Sequence, residues 1–506
     1  MKIYFRGCNY KYEVEAVIKL FIPLENFGFV FDGDDDTVSG NDDICKIISE
    51  DDLLSVDVTL NGKNISKNIQ SKEASEKGFT DEAALCRMLF EILRDLTGIS
   101  PEWGCLTGIR PVKKVNSLIA GGSSENDIIK TFSERYFTSP KKTHLAYLTA
   151  LSQKYALENF RDNSYSLYIS IPFCPSRCSY CSFVSHSIQS AGAAKLIPEY
   201  TDKLCEELEI ISKIAENSGL VLDTIYIGGG TPTAISAEQL NKIMKKTSEC
   251  FDISKIREYT VEAGRPDTIT EEKLRVIKEN GADRISVNPQ TMNDSVLEAI
   301  GRKHTAEQFI KCFELARKIG FENINTDTIA GLPTDTPEGF RYTIDTLIGL
   351  SPEDITVHTL TVKRSSKLFA DAEKMKTELR ADYADEMVSY AAEKLEKSGY
   401  SPYYMYRQKN TVGNLENVGY SKKGRESLYN IYIMEENQTI LAAGAGGSSK
   451  LYEKSTDRIE RVVNFKYPYE YISRFDQLKE RKKEIEEFFN DYSQRHQRNR
   501  SAGRNL

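Results

Sequence analysis

The sequence predicts an α/β protein built on a parallel sheet, with an α+β domain before it and a mixed α/β cap after it. Three observations point there. From Ser166 to Leu360 six short apolar strands alternate with amphipathic helices, a repeat that needs right-handed crossovers between parallel neighbours. Residues 1–150 show strands, a hairpin signal and helices without that alternation. At 506 residues the chain is too long for one ordinary core.

In the first domain, residues 1–150, strands are expected at Lys2–Arg6, Ala16–Phe21 and Leu54–Leu60. The last meets Asn61-Gly62, a hairpin turn pair, and Asn64–Ile69 returns from it. The acidic stretch Asp32–Asp43 reads as a solvated loop. Thr80 is placed to cap a helix whose apolar face is Leu85, Met88, Leu89, Ile92 and Leu96, and Gly98 ends it. Trp103, Arg110 and Pro111, in EWGCLTGIRPVKK, suit either a docking surface or a folded connector, and the connector reading is preferred.

In the repeating region, residues 160–365, strands are expected at Ser166–Ile171, Asp223–Ile227, Glu258–Glu262, Arg284–Val287, Asn323–Ile329 and Asp354–Leu360. Helices are expected at Tyr200–Ala215, Ala237–Cys250, Glu271–Asn280 and Ala306–Ile319. An open sheet and a partial barrel both satisfy this pattern, and either puts its chemistry at the carboxyl ends of the strands. The cap, residues 366–493, holds helical patterns at Arg380–Ser398 and Phe475–Asp491 and a hairpin-like segment at Asn430–Ala442. Residues 494–506 are polar and expected to be a disordered tail.

A net charge of −8 gives no sign of a nucleic-acid surface. No signal-peptide layout opens the chain and no apolar run is long enough for a membrane span, so a cytoplasmic protein is expected. Of ten cysteines, Cys86 and Cys312 fall in helical patterns as small hydrophobes. Cys174, Cys178 and Cys181 are instead packed into YISIPFCPSRCSYCSFVSH, on the loop leaving the first strand of the repeat. Three thiolates at that spacing suit an iron–sulfur cluster or zinc. Zinc would want a fourth ligand, for which His186 is near enough. A four-iron cluster would leave one iron open to a small molecule.

The later strand ends offer groups for such a molecule. Gly228-Gly229-Gly230-Thr231-Pro232-Thr233 follows the second strand, either letting backbone approach a ligand or simply making a tight turn. Glu262 ends the third strand, Gln290 follows the fourth and Asp327 lies in the fifth. Singly each is an ordinary cap or surface group; together with the cysteines they form a candidate site.

The string Tyr168–Cys181 resembles the radical S-adenosylmethionine signature. With GGGTPT at Gly228, TVEAGRPD at Thr260, RISVNPQT at Arg284, DTIAGLP at Asp327 and GAGGSS at Gly444, it is similar to the oxygen-independent coproporphyrinogen III oxidases and related haem chaperones. LTGIRPVKKV at Leu106 matches the variant with a long N-terminal extension. The resemblance implies a partial (β/α)6 barrel with a [4Fe–4S] cluster on Cys174, Cys178 and Cys181. It implies S-adenosylmethionine bound near Tyr168, Tyr180, Gly229, Gly230, Thr231 and Glu262, and a second molecule of it near Gln290, Arg302 and Asp327. The implied activity is oxidative decarboxylation of coproporphyrinogen III propionates to vinyls, giving protoporphyrinogen IX in haem biosynthesis with a separate electron donor. A haem chaperone and another radical tetrapyrrole-modifying enzyme are the alternatives. The chain departs from the oxidases at Phe183, where they carry a fourth cysteine, and at Ser170, where they carry histidine. It departs from the chaperones at Lys409-Asn410, where their haem-binding histidine is missing. Lys363, Arg364, Arg407 and Lys409 are candidate cations for the tetrapyrrole's carboxylates.

Overall fold

The computed structural model describes residues 1–23, 25, 27–32, 43–108, 110–158, 160–183, 186–363, 365–370 and 380–502. The chain forms two compact units. The first comprises Met1–Ala150, Asp371–Asp385 and Met405–Glu416; the second comprises Leu151–Ala370, Glu386–Tyr404 and Asn417–Leu506. Residues expected as a separate cap are therefore divided between the two.

The first unit is a five-stranded sheet of β1 (Lys2–Arg6), β2 (Gly28–Val30), β3 (Ile44–Glu50), β4 (Leu53–Leu60) and β5 (Lys63–Gln70), in the order β2-β1-β3-β4-β5. β1 runs parallel to both neighbours, and β3, β4 and β5 are antiparallel. The helix Asp81–Thr97 covers the sheet, its Thr80 hydroxyl accepting from the Ala83 amide at 3.3 Å and Gly98 closing it at φ +72°. Leu85, Leu89 and Ile92 pack into one core with Ile3, Val56 and Val58. Ala16–Phe21 is not a strand. Val14, Val17 and Ile18, spaced by three and four, bury one side of a helix at Lys11–Ile18. Most of the acidic stretch, 33–42, lies outside the described residues.

Trp103 is buried, as a connector requires and a docking surface does not. Its indole Nε1 donates to Glu416 at 2.7 Å, and the Lys142 ammonium reaches the other Glu416 oxygen at 2.7 Å. Arg407 stacks over the Trp103 ring at 5.2 Å and donates to the carbonyls of Leu106 and Asn414.

The second unit carries the parallel strands β6 (Ser164–Ile171), β9 (Val221–Gly229), β10 (Glu258–Gly264), β11 (Arg284–Val287), β12 (Asn323–Ala330) and β13 (Asp354–Thr359), neighbours in chain order. A two-stranded piece, β7 (Phe173–Cys174) with β8 (His186–Ser187), lies between the first two. β14 (Tyr400–Arg407) and β15 (Glu416–Lys422) follow β13 at one edge. β16 (Thr439–Ala443), β17 (Ser448–Glu453) and β18 (Arg458–Val463) follow β6 at the other, β16 parallel to it. Crossover helices include Ala237–Cys250, opened by a reciprocal Ser236–Gln239 cap and burying Leu240, Ile243, Met244 and Thr247.

Two expectations in this unit fail. Asn430–Ala442 is not a hairpin: the Ser427 hydroxyl caps a helix at Leu428–Glu435, and only Thr439–Ala443 is extended. The final helix runs Phe475–Ala502, through most of the expected disordered tail. No proline or glycine interrupts it before Gly503, and a formed helix propagates at little cost through glutamine, arginine and serine.

Candidate active site

The strands of the parallel sheet are almost wholly buried, so the residues that keep partial exposure stand out. Those with functional side chains toward the carboxyl halves of their strands include Tyr168 in β6, Tyr226 in β9, Glu262 in β10, Asp327 in β12 and His358 in β13. Register explains why they converge: Tyr168 lies directly beside Tyr226, and the alternation of side chains along a strand puts Glu262 on the same face two residues beyond Thr260, Tyr226's partner. Tyr168, Tyr226 and Tyr429 form an aromatic group, the last two stacked at 4.4 Å between centroids.

Within this ring the Tyr226 hydroxyl donates to Glu262 at 2.6 Å. Protein surrounds Glu262 although the side chain keeps some exposure, and burial pushes its carboxyl up to about 7; nearby Asp327 adds to the rise. Burial also pushes Asp327 up, but His358, Asn325 and Thr356 outweigh it and hold that carboxyl below the ordinary aspartate value. Asn288 and Asn325 each donate to Asp327 at 2.8 Å, and His358 Nε2 stands 3.9 Å away.

The cysteine loop leaves β6 and is pinched at its neck. β7 pairs in parallel with β8, the His186 amide donates to Pro172 O at 2.9 Å and the Ile188 amide to Cys174 O at 2.9 Å. Cys174 and Cys178 are buried and Cys181 half-buried. Cys174 Sγ lies 3.4 Å from the Thr231 hydroxyl, and Arg265 reaches Cys178 Sγ at 3.7 Å while gripping Ser176 and Asp267. Tyr180 accepts from Arg302 at 3.3 Å. Arg302 also donates to Asn288 O at 2.8 Å, so a polar chain runs from the loop to Asp327.

Gly229 and Gly230 serve backbone approach to this loop. A Cβ on Gly230 would meet Phe173 O at 2.5 Å, and Gly229 has φ +110° against β6. At Gly228 a Cβ would come within 3.1 Å of the Glu262 carboxylate. Gln290 sits at φ +69°, its amide donating to Asp327 O and its carbonyl accepting from the Ile329 amide. Its side-chain Oε1 is buried with no hydrogen-bond partner among the described residues.

The structure thus groups Tyr168 with Glu262, Cys174 with Thr231, and Tyr180, Arg302 and Asp327 in one network, with Gln290 fastened to β12 beside them. Sequence reasoning missed Tyr226, Arg265, Asn288, His358 and Tyr429. Arg265 and Asn288 stand inside strings already quoted, and Tyr226 sits two residues before the glycine run. Arg407 is a correction: it is buried, and its guanidinium is used on Trp103, Leu106 O and Asn414 O. Lys409 is exposed and lies over Tyr12 in the first unit; Lys363 is exposed in the second; Arg364 is outside the described residues. Ser170 is buried and donates to Ala445 O at 2.8 Å. A Cβ on Gly444 would come within 2.4 Å of Ser170 O, a packing reason for a glycine in GAGGSS.

Residues 168–347 match the radical SAM superfamily model. The oxygen-independent coproporphyrinogen-III oxidase-like protein HemZ of Bacillus subtilis is 37% identical over 94% of this chain and 98% of its own length. The haem chaperone HemW of the same organism is 36% identical over 56% of this chain and 70% of its own. Among solved structures, the radical SAM coproporphyrinogen III oxidase HemN of Escherichia coli aligns at 23% identity and a TM-score of 0.49, over 65% of this chain and 73% of that one.

The fold and the cysteine loop are those of a radical SAM protein. Within that superfamily, the chain belongs to the oxygen-independent coproporphyrinogen III oxidase-like family.

The family implies a [4Fe–4S] cluster and S-adenosylmethionine, and the residues present fit both. Burial raises the Cys181 thiol, and Cys178 and Cys174 raise it further; a cationic centre is what would let three crowded thiols ionise together. Among the described residues no three His, Cys, Asp or Glu side chains gather closely enough to share a single ion. The unpartnered Gln290 Oε1 and the Glu262 carboxyl are free to meet the donors of an amine or hydroxyl. No described helix is long and apolar enough to cross a membrane.

Proposed function

We propose that the protein is a cytoplasmic radical SAM oxidoreductase that decarboxylates two propionates of coproporphyrinogen III to vinyls, yielding protoporphyrinogen IX. The observation that carries the reading is the ring of Tyr168, Tyr226, Glu262, Asp327 and His358 next to the cysteine loop, in a chain whose relative over 94% of its length is named oxidase-like. Cys174, Cys178 and Cys181 would hold the cluster and leave its fourth iron for S-adenosylmethionine. When bound, the pair supplies a 5′-deoxyadenosyl radical on reduction.

The chain's own residues bind and orient. Thr231 stands against Cys174 and Arg265 against Cys178, steadying the loop. Glu262, held by Tyr226, offers its free oxygen to a ribose hydroxyl or an amine. The Tyr168–Tyr226–Tyr429 group presents flat apolar surface that excludes water from the reacting carbon. Gln290 and Asp327 would face a second S-adenosylmethionine. Lys363 is the remaining described cation of the second unit proposed for a propionate, since Arg407 is used in the fold.

Haem delivery is the second reading, favoured by the 36% identity to HemW. Lys409 opposes it, because a protonated lysine has no lone pair for iron. Anaerobic incubation with coproporphyrinogen III, S-adenosylmethionine and dithionite should release carbon dioxide and form vinyl product. Stoichiometric haem binding, with S-adenosylmethionine cleaved but no vinyl product, would make the protein a chaperone.

A further inference from the structure

The sulfurs of the cysteine loop do not all meet the same kind of neighbour. Cys174 Sγ faces the neutral Thr231 hydroxyl at 3.4 Å, whereas Cys178 Sγ faces Arg265 Nη1 at 3.7 Å. The turn that aims Arg265 is built by the sequence Ala263-Gly264-Arg265-Pro266-Asp267-Thr268. A register shift between Glu262 and Gly264 breaks the end of β10, and Gly264 takes φ +54°. The Thr268 amide and hydroxyl then both donate to Arg265 O, at 2.9 and 2.8 Å. Beyond the turn the guanidinium is fixed at both ends of its fork. Its Nε and Nη2 donate to the two Asp267 oxygens at 3.0 and 2.8 Å, and Nη1 donates to Ser176 O and Oγ at 3.1 and 3.0 Å. Arg265 is only 3% exposed, so its charge is poorly screened by water. The bonds to Ser176 are enough to hold the loop. The bond to Cys178 adds something else, a cationic N–H donor on a sulfur that would ligate metal.

We propose that Arg265 and Asp267 together set the reduction potential of the cluster through Cys178. An N–H donor draws electron density from a thiolate ligand, and a buried positive charge stabilises the state that holds one more electron. The guanidinium therefore favours reduction. Asp267, forked onto it, cancels part of that charge and opposes it. One electron arrives from an external reductant; no bond forms or breaks, and Arg265 keeps its protons. Arg265 is a positioning residue, since it acts through the sulfur rather than on the substrate. The inference rests on the proposed function only in requiring the cluster.

The test is a potentiometric titration of the anaerobically reconstituted full chain. Dithionite is the reductant, and the reduced cluster's electron paramagnetic resonance signal is the readout. Arg265→Gln should make reduction about tenfold less favourable, which moves the midpoint about 59 mV more negative. Asp267→Asn leaves the guanidinium uncompensated and should move the midpoint the opposite way. Equal midpoints in wild type and both variants, with full iron content, would overturn the assignment. So would shifts of the same sign in the two variants, which a loop merely loosened by either change would give. If Arg265→Gln holds no iron, Asp267→Asn decides alone, and an unchanged midpoint overturns the proposal. Opposite shifts without vinyl product from coproporphyrinogen III would keep the assignment and sink the oxidase reading. Vinyl product with equal midpoints would do the reverse, and a wild type that assembles no cluster would overturn both.

Discussion

Glu262 couples the site to pH through one proton. Its carboxyl is raised from 4.5 to about 7, with burial the first cause. Below 4.5 it is neutral whether the chain is folded or not. Between 4.5 and 7 the unfolded chain ionises and the folded chain resists, so stability falls as pH rises; above 7 that loss is complete. Glu262→Gln should therefore raise the Tm of the cofactor-free protein at pH 8 and leave it unchanged at pH 4.5. The same variant should keep its iron content but cleave S-adenosylmethionine more slowly, by about tenfold or more if one binding hydrogen bond is weakened. An equal Tm gain at both pH values would show that the carboxyl is not held neutral by the fold. Glu262, Gln290 and Asp327 could be singled out in the sequence because they lie at, just after or within strands whose carboxyl ends had to face one side. Arg407 was misread because sequence shows that a cation is present, not which way it points. His358 went unseen because its neighbour Asp327 comes from another strand.

Strands and helices were legible wherever alternation and caps agreed, as at Ala237–Cys250 and Arg284–Val287. They failed on short apolar runs, which periodicity alone does not assign. LYNIYIME reads as a strand until Ser427 is seen capping it and donating to Glu258 at 2.9 Å. The cysteine loop shows a longer-range dependence, since its neck is shaped by a glycine just past the next parallel strand. Gly230→Ala would force a Cβ against Phe173 backbone at 2.5 Å, where no flexible side chain can yield. A cost of about 1–3 kcal/mol and a loss of iron after anaerobic reconstitution are expected. Gly349→Ala, in the helix Pro337–Leu350 with nothing within 4 Å, should be neutral or slightly stabilising and keep full iron. Equal iron in both variants would mean that close backbone approach at Gly230 does not hold the loop.

At the scale of the whole molecule, the chain enters the first unit, crosses to the second, and returns twice to the first. The return at Met405–Glu416 supplies Arg407 and Glu416, both buried. Their partners Trp103, Leu106 and Lys142 come from the first 150 residues. Removing Met1–Ala150 would strip Glu416 of the Trp103 and Lys142 hydrogen bonds and Arg407 of its ring and one carbonyl. Without the rest of its unit the segment Met405–Glu416 would expose the apolar and polar surface that the first 150 residues cover, so the fragment 151–506 should be aggregated or markedly less stable than the full chain. Lys142→Ala isolates the loss of that Glu416 partner within the intact chain. Trp103 is the chain's single tryptophan, so its fluorescence follows the first unit alone. That transition should move to lower temperature in Lys142→Ala, while Lys142→Ala with Glu416→Gln recovers the part of the loss that comes from the unpaired Glu416 carboxylate; Arg407 stays buried on Trp103 and two carbonyls. A soluble, monomeric 151–506 fragment with full iron content would show that the second unit needs nothing from the first. An unshifted Trp103 transition in Lys142→Ala would show that the buried pair does not hold the first unit together.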